Sequence, residues 1–501
     1  MSPLTRRSFV AGLTTIPFAL WFEKYAIAAP VKRYEALSPN GQLMLKKYAA
    51  GVKKMMSTPD KDPRSWVFQW YSHWVKGAGG SQAPQEKTNA ISSIYGSTPN
   101  PWRSLGLEMW DTCQAHGPGM DENFFLPWHR MFLFFFERIV RSVTDPSFTL
   151  PYWNYSVAGL AHGVLPKGFR MQGDPTFGSL FIQKRNVANV SAGTANVNAG
   201  QPIDKNDPGA LDLTALAQCK YQPSGAQSGF NMEIDGGLHG NVHVLVGNTQ
   251  NMGRIPWAAG DPIFWLHHCN IDRLWASWNK AGRQNPSGTW LTKQFVFADE
   301  HGNRVVATVK DFNSITQLNY TYDRFEPVPA CASPVGPEAL ATPQTRAVAP
   351  GGPVELSSAP VRVNLAQPPG PEGAAVPLRD RVRQLKPGKR MYAVLKNLSA
   401  EVAPGVVYHV YFDIPAGYQP RPGKRDPYYV GTLNFFESHS GHEGEEGSTT
   451  PKFRSLDVTA VAKRLQKTNK LSAQPSLTIA PSTPPEPDAR PIIGEISIVE
   501  Q

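Results

Sequence analysis

Between residues 38 and 60 the apolar positions Leu43, Leu45, Tyr48, Val52, Met55 and Met56 fall close to the period of a helix, so an amphipathic helix is predicted there. The stretch FLPWHRMFLFFFERIVRSV, residues 125 to 143, is apolar almost all the way round. A helix of that kind should be buried on most sides, and Pro127 suits its first turn. Two further helices are predicted near 237–246 and 262–280. Between them and the second helix, residues 156 to 235 are rich in Gly, Asn, Ser and Pro and read as long loops, a type often placed around a binding site.

The pattern changes after residue 325. Residues 326 to 373 hold so many Pro and Gly that a linker is the natural expectation. Beyond it, RMYAVLKNLS, VVYHVYFDIP, YYVGTLNFFES and IIGEISIVEQ are short runs of β-branched and aromatic residues separated by turn residues. They predict a small antiparallel sandwich or barrel over 374–501. The fold class expected is a mainly α domain over 30–325, a helix bundle with long loops, followed by a small all-β, sandwich-like domain.

The first 29 residues stand apart. Arg6 and Arg7, a modest apolar segment and the run Ala26, Ile27, Ala28, Ala29 resemble a twin-arginine export signal with its cleavage site. This predicts a periplasmic or extracellular protein, with no membrane anchor after cleavage, since no later segment approaches the roughly 20 apolar residues of a membrane span. The net charge of +10 is spread along the chain, and no nucleic-acid-binding motif accompanies it. No nucleic-acid partner is expected, and self-association is left open. Four cysteines, Cys113, Cys219, Cys269 and Cys331, lack zinc-ribbon spacing and are too sparse for a disulfide framework.

Chemistry enters with the histidines. His239 and His243 are spaced i, i+4, which puts both imidazoles on one helix face, within reach of one metal. Gly240 follows His239 where a zinc protease of the H-E-x-x-H type needs its Glu, so that class is excluded. In DPIFWLHHCNIDRLW, residues 261 to 275, His267 shares a helix side with Ile263, Ile271 and Leu274 and suits a packed core position. His268 shares a side with Phe264 and Asp272, a carboxylate one turn away that would steady a metal-bound imidazole, so His268 is the expected ligand. With His73, His116 and His129 there are six candidate imidazoles in two groups of three. All-imidazole sites suit zinc, copper, iron or nickel, and two facing trios suit a pair of copper ions that bind dioxygen between them.

The same residues resemble the type 3 dicopper family of tyrosinases, catechol oxidases, related phenol oxidases and molluscan hemocyanins. FLPWHRMFLFFFE is similar to the family's first copper signature, with His129 as a ligand and Glu137 as the closing Glu. DPIFWLHHCNID is similar to the second, in which the second of two adjacent histidines is the ligand. The resemblance implies two copper ions, copper A on His73, His116 and His129 and copper B on His239, His243 and His268. It also implies a phenolic substrate with O2 and a C-terminal domain that shields the site. One of that domain's aromatics, Tyr428, Tyr429, Phe435 or Phe436, is hypothesised to cover the coppers, although each taken singly reads first as sandwich core. His116 and His129 stand thirteen apart where about nine is usual, and Cys113 is a candidate for a thioether to His116. Many tyrosinases have Asn after the first copper B histidine; here Gly240 holds that place, with Asn241 next and Glu233 six residues before His239. Glu233 is the candidate base and Asn241 its candidate partner, with Asp272 and Asp261 as supports for the ligands. The function expected is tyrosinase activity; catechol or o-aminophenol oxidation without monophenol hydroxylation is the alternative, and a hemocyanin-like oxygen carrier a remote one.

Overall fold

The computed structural model describes residues 16–17, 30–76, 84–115, 121–186, 196–247, 251–331, 346–365, 377–436 and 453–501. Serines open the first two helices used below, α1 (Pro39–Met56) and α2 (Trp66–His73). Ser38 and Ser65 each accept a hydrogen bond from a first-turn amide, Gly41 N at 3.0 Å and Phe68 N at 3.1 Å. Each satisfies a donor that a helix start leaves open. α3 (Phe125–Val143) is buried continuously from Phe125 to Glu137, as its all-round apolarity predicts. α4 (Gly240–Gly247) and α5 (Ile263–Lys280) complete the set that carries the histidines, and α5 is buried from Ile263 to Trp278. α1 and α5 both pack against α3. At the α3–α5 contact the rings of Phe136 and Trp265 stack at 3.4 Å between centroids.

Two sheets form the C-terminal domain. In chain order the strands are β1 (Arg346–Gly351), β2 (Val354–Glu355), β3 (Val361–Asn364), β4 (Met391–Ser399), β5 (Tyr408–Phe412), β6 (Tyr429–Leu433), β7 (Phe453–Asp457), β8 (Ser476–Pro481) and β9 (Ile492–Glu500). One sheet runs β6-β5-β8-β3 and the other β7-β4-β9-β1, with β2 also on β9. Every pairing is antiparallel. Val410 and Ile479 of one sheet share a buried cluster with Leu395, Ile496 and Ile498 of the other, which is the sandwich expected from the runs of β-branched residues. The linker expectation over 326–373 needs correcting, because β1, β2 and β3 lie inside it. Its Pro and Gly residues mark turns between strands as much as a connection.

A disulfide joins Cys219 to Cys331, 112 residues apart, although four scattered cysteines gave no sign of a pairing. The signal expected over 1–29 lies outside the described residues, except Ile16–Pro17, which run parallel beside Val305–Val306. Among the described residues no helix is long and apolar enough to cross a membrane.

Candidate metal centre

Two groups of imidazoles meet where α2, α3, α4 and α5 converge. In the first, His73 closes α2 and His129 lies in the opening turns of α3, their ring centroids 6.0 Å apart. Cys113 Sγ is 3.6 Å from His129 Nε2. One donor atom from each of His73, Cys113 and His129 lies within 4.8 Å of the others. His116 lies outside the described residues, and with it the thioether to Cys113.

The second group is His239, His243, His267 and His268, all buried and again with donor atoms within 4.8 Å. A short helix, Gly229–Glu233, leads into a π-helical turn, Ile234–His239, and then into α4. Such widened turns recur at functional sites. This one delivers His239 and His243 with ring centroids 4.5 Å apart, as their i, i+4 spacing predicts. The groups face each other: the rings of His129 and His268 lie parallel within 6° at 4.2 Å.

Backbone carbonyls set the tautomers. His129 Nδ1 donates to Phe125 O at 2.8 Å and His243 Nδ1 to Met252 O at 2.7 Å, which leaves each Nε2 as a lone-pair donor. His239 Nδ1 lies 3.3 Å from Asp235 O and 3.0 Å from Asp235 Oδ1. Neither nitrogen of His268 has a hydrogen-bond partner among the described residues. Burial first, and then the surrounding imidazoles of His129, His239, His267 and His243, push its pKa well below the ordinary range, so the ring is neutral. Leaving such a buried group unsatisfied costs about 1–3 kcal/mol, which a metal bond would offset.

The structure adds to one sequence expectation here and changes two. His267, expected to suit a packed core position, is fully buried, but neither of its nitrogens has a hydrogen-bond partner among the described residues, and it stacks on His239 at 5.3 Å. Asp272 does not reach His268. Its oxygens accept from Arg130 Nε at 2.6 Å, Arg33 Nη1 at 3.3 Å and the hydroxyls of Tyr320 and Tyr322. It braces the ligands indirectly, through the residue beside His129. Asp261 is taken by Arg185, at 2.6 and 2.8 Å.

Glu233 and Asn241 both lie beside the second group, and both are engaged by the C-terminal domain. Glu233 Oε2 accepts from Ser228 Oγ at 2.6 Å and pairs with Arg454 Nη1 at 3.2 Å. Asn241 Nδ2 donates to Ala210 O and Thr432 Oγ1, each at 2.9 Å, while its Oδ1 accepts from Asn434 Nδ2 at 2.9 Å. Of the four aromatics expected to cover the site, Phe436 does so. Its ring stacks on His243 at 4.2 Å and 13°, meets His239 edge-on at 5.9 Å, and belongs to the core of the helical domain. Tyr428, Tyr429 and Phe435 are sandwich core. Arg454, Thr432 and Asn434 had no signal in the sequence.

Residues 83–281 match the common central domain of tyrosinase, and 287–334 match the polyphenol oxidase middle domain. The two matches place the helical domain in the type 3 copper family of tyrosinases and polyphenol oxidases. Residues 347–501 match a domain of unknown function. Over 325 residues, 60% of this chain and 63% of the relative, it is 33% identical to the tyrosinase HcTyr1 of a Hahella species. It is 29% identical to the chloroplastic polyphenol oxidase A1 of Vicia faba over 61% of this chain and 51% of that one. The chain thus spans between about half and two thirds of the length of these relatives. A solved structure of latent apple tyrosinase has a TM-score of 0.58 at 21% identity, covering 94% of this chain and 97% of that one. A latent aurone synthase has 0.57 at 22%, covering 94% and 89%. These two likenesses show the fold.

Members of this family hold two copper ions. Two facing clusters of buried imidazoles, with tautomers fixed by carbonyls and His268 without a hydrogen-bond partner among the described residues, fit that requirement.

Proposed function

We propose that this chain oxidises phenols and o-diphenols to o-quinones with dioxygen, using one copper held by His73, His116 and His129 and a second held by His239, His243 and His268. The parallel His129–His268 pair carries this reading, because it joins two imidazole clusters into one buried chamber. Copper bound there supplies the redox chemistry: two o-diphenols give up four electrons and four protons as one O2 becomes two waters.

The chain's own residues do the rest. His243 offers a flat face to an aromatic ring, now occupied by Phe436. Glu233, buried beside the second cluster, takes up a phenolic proton by way of water once Arg454 withdraws. The C-terminal domain is a lid, and the form described is closed. One observation favours the narrower activity on o-diphenols alone: the residue beside His239 is a glycine, and the Asn241 amide nitrogen is held by Ala210 O of the helical domain itself. The Cys219–Cys331 disulfide agrees with export to an oxidising compartment.

The test is copper stoichiometry together with oxygen uptake on a monophenol and its matching catechol. Two coppers per chain and uptake on both substrates make it a tyrosinase. Uptake on the catechol alone gives the narrower activity. Two coppers with no uptake after the lid is opened would overturn the oxidase reading. His268→Ala should lose one copper and all oxidation.

A further inference from the structure

The lid enters the site as a ring followed by donors. Phe436 lies on His243. Two residues earlier, Asn434 Nδ2 donates to Gly236 O at 3.0 Å, Gly237 O at 3.4 Å and Asn241 Oδ1 at 2.9 Å. Its carboxamide fills the space that a side chain at position 240 would take: a Cβ on Gly240 would lie 2.5 Å from Asn434 Oδ1 and 2.9 Å from Nδ2. Arg454 Nη1 adds a positive charge, 3.2 Å from Glu233 Oε2 and 3.4 Å from Glu233 O.

The surface that receives these groups is therefore lined with acceptors. Gly236 O, Gly237 O and Asn241 Oδ1 all point into the one notch that the Asn434 amide fills. The oxygen of Asn241 is fixed toward it because Nδ2 donates to Ala210 O on the helical domain itself. Asp235, whose Oδ1 is 3.0 Å from His239 Nδ1, adds negative charge nearby. The Phe436 ring meets His239 at 5.9 Å, and Gly240 is the next residue, so the notch begins about one short side arm from the ring slot.

We propose that the slot over His243 and this acceptor notch form one substrate subsite, selecting catechols and phenols whose ring carries a short arm ending in an ammonium or another N–H donor. Carboxylate arms are disfavoured there. The inference rests on the phenol-oxidising reading above. The preference must come from the notch, because the chain's net charge of +10 attracts anions at long range and would favour the opposite order.

The test uses full-length, copper-loaded protein and three catechols that differ only in a short arm at position 4: 2-aminoethyl, ethyl and carboxymethyl. In wild type every turnover passes through the open fraction, which scales all three rates alike, so the ratios of kcat/KM are those of the open site. The full-length Phe436→Gly chain gives the same ratios with more signal. The expected order is ammonium, then ethyl, then carboxylate, with at least tenfold between the first and last, mainly in KM. Turnover of the ethyl compound with no preference, or with the carboxylate ahead, overturns the subsite and leaves the oxidase reading standing. No turnover of any of the three in either protein overturns both. A second readout needs no copper: calorimetry of copper-free Phe436→Gly with 2-phenylethylammonium and phenylacetate should show the ammonium binding at least tenfold tighter, and equal binding overturns the proposal.

Discussion

Two carboxylate–arginine pairs lie beside the histidine chamber. Asp272 and Arg130 sit on the helices that carry His268 and His129, 2.6 Å apart, within one hydrophobic core. Arg33 joins them and continues to Glu137 at 2.8 Å, and Arg130 lies over the Trp275 ring at 3.5 Å. Burial alone would raise the pKa of Asp272 and of Glu137, but the arginines more than offset it and hold both below the usual carboxylate range. Glu233, by contrast, is paired with one arginine, Arg454, which arrives 221 residues later from another domain. The same two functional groups thus make a permanent brace where several partners share one core, and a separable contact where the partner belongs to a second core.

The largest effect tests the brace. Asp272→Asn leaves Arg130 and Arg33 buried without their counter-charge and should destabilise the helical domain by about 3–5 kcal/mol, seen as a fall in its melting temperature. A shift no larger than that of a surface substitution would remove the distinction. Phe436→Ala comes next. It withdraws a buried ring worth about 3 kcal/mol from the closed form alone, which corresponds to a rise of roughly 100-fold in catechol oxidation with little change in helical-domain stability. Unchanged activity would mean that Phe436 does not hold the lid shut. Arg454→Gln should loosen the lid by about 1.5 kcal/mol, roughly tenfold in activity, and Asp272→Asn should not do this.

The smallest effect is in pH. Asp272 and Glu137 have folded values below their unfolded ones, so the stability they add is present above about pH 4 and is lost as pH falls through the lowered folded values. Melting curves from pH 6 to pH 3 should fall more steeply for wild type than for Asp272→Asn.

The histidines were largely legible in the sequence because their spacing is local. His239 and His243 are one turn apart, His268 and Asp272 share a helix face, and the apolarity of 125–143 announced its burial. What Asp272 actually touches was not legible, since Arg33, Tyr320 and Tyr322 approach from 239, 48 and 50 residues away. The lid was legible only as a group of aromatics. Nothing local distinguishes Phe436 from Phe435, yet one ring enters the helical core and its neighbour stays in the sandwich. Arg454 and Asn434 acquire meaning only from the partner surface, and the strands within 346–364 were hidden by proline and glycine that mark turns as readily as linkers.

The disulfide has a mechanical consequence. Cys331 follows the helical domain and precedes the first strand of the sandwich, and its bond anchors it to Cys219 in the loop region of that same domain. Any traction that peels the sandwich away from the histidines travels along the chain to residue 331 and is diverted there into a covalent anchor. The helices that carry the imidazoles are thereby shielded from the pull, and the lid can be tugged or cut loose beyond that rivet without unthreading the chamber it covers.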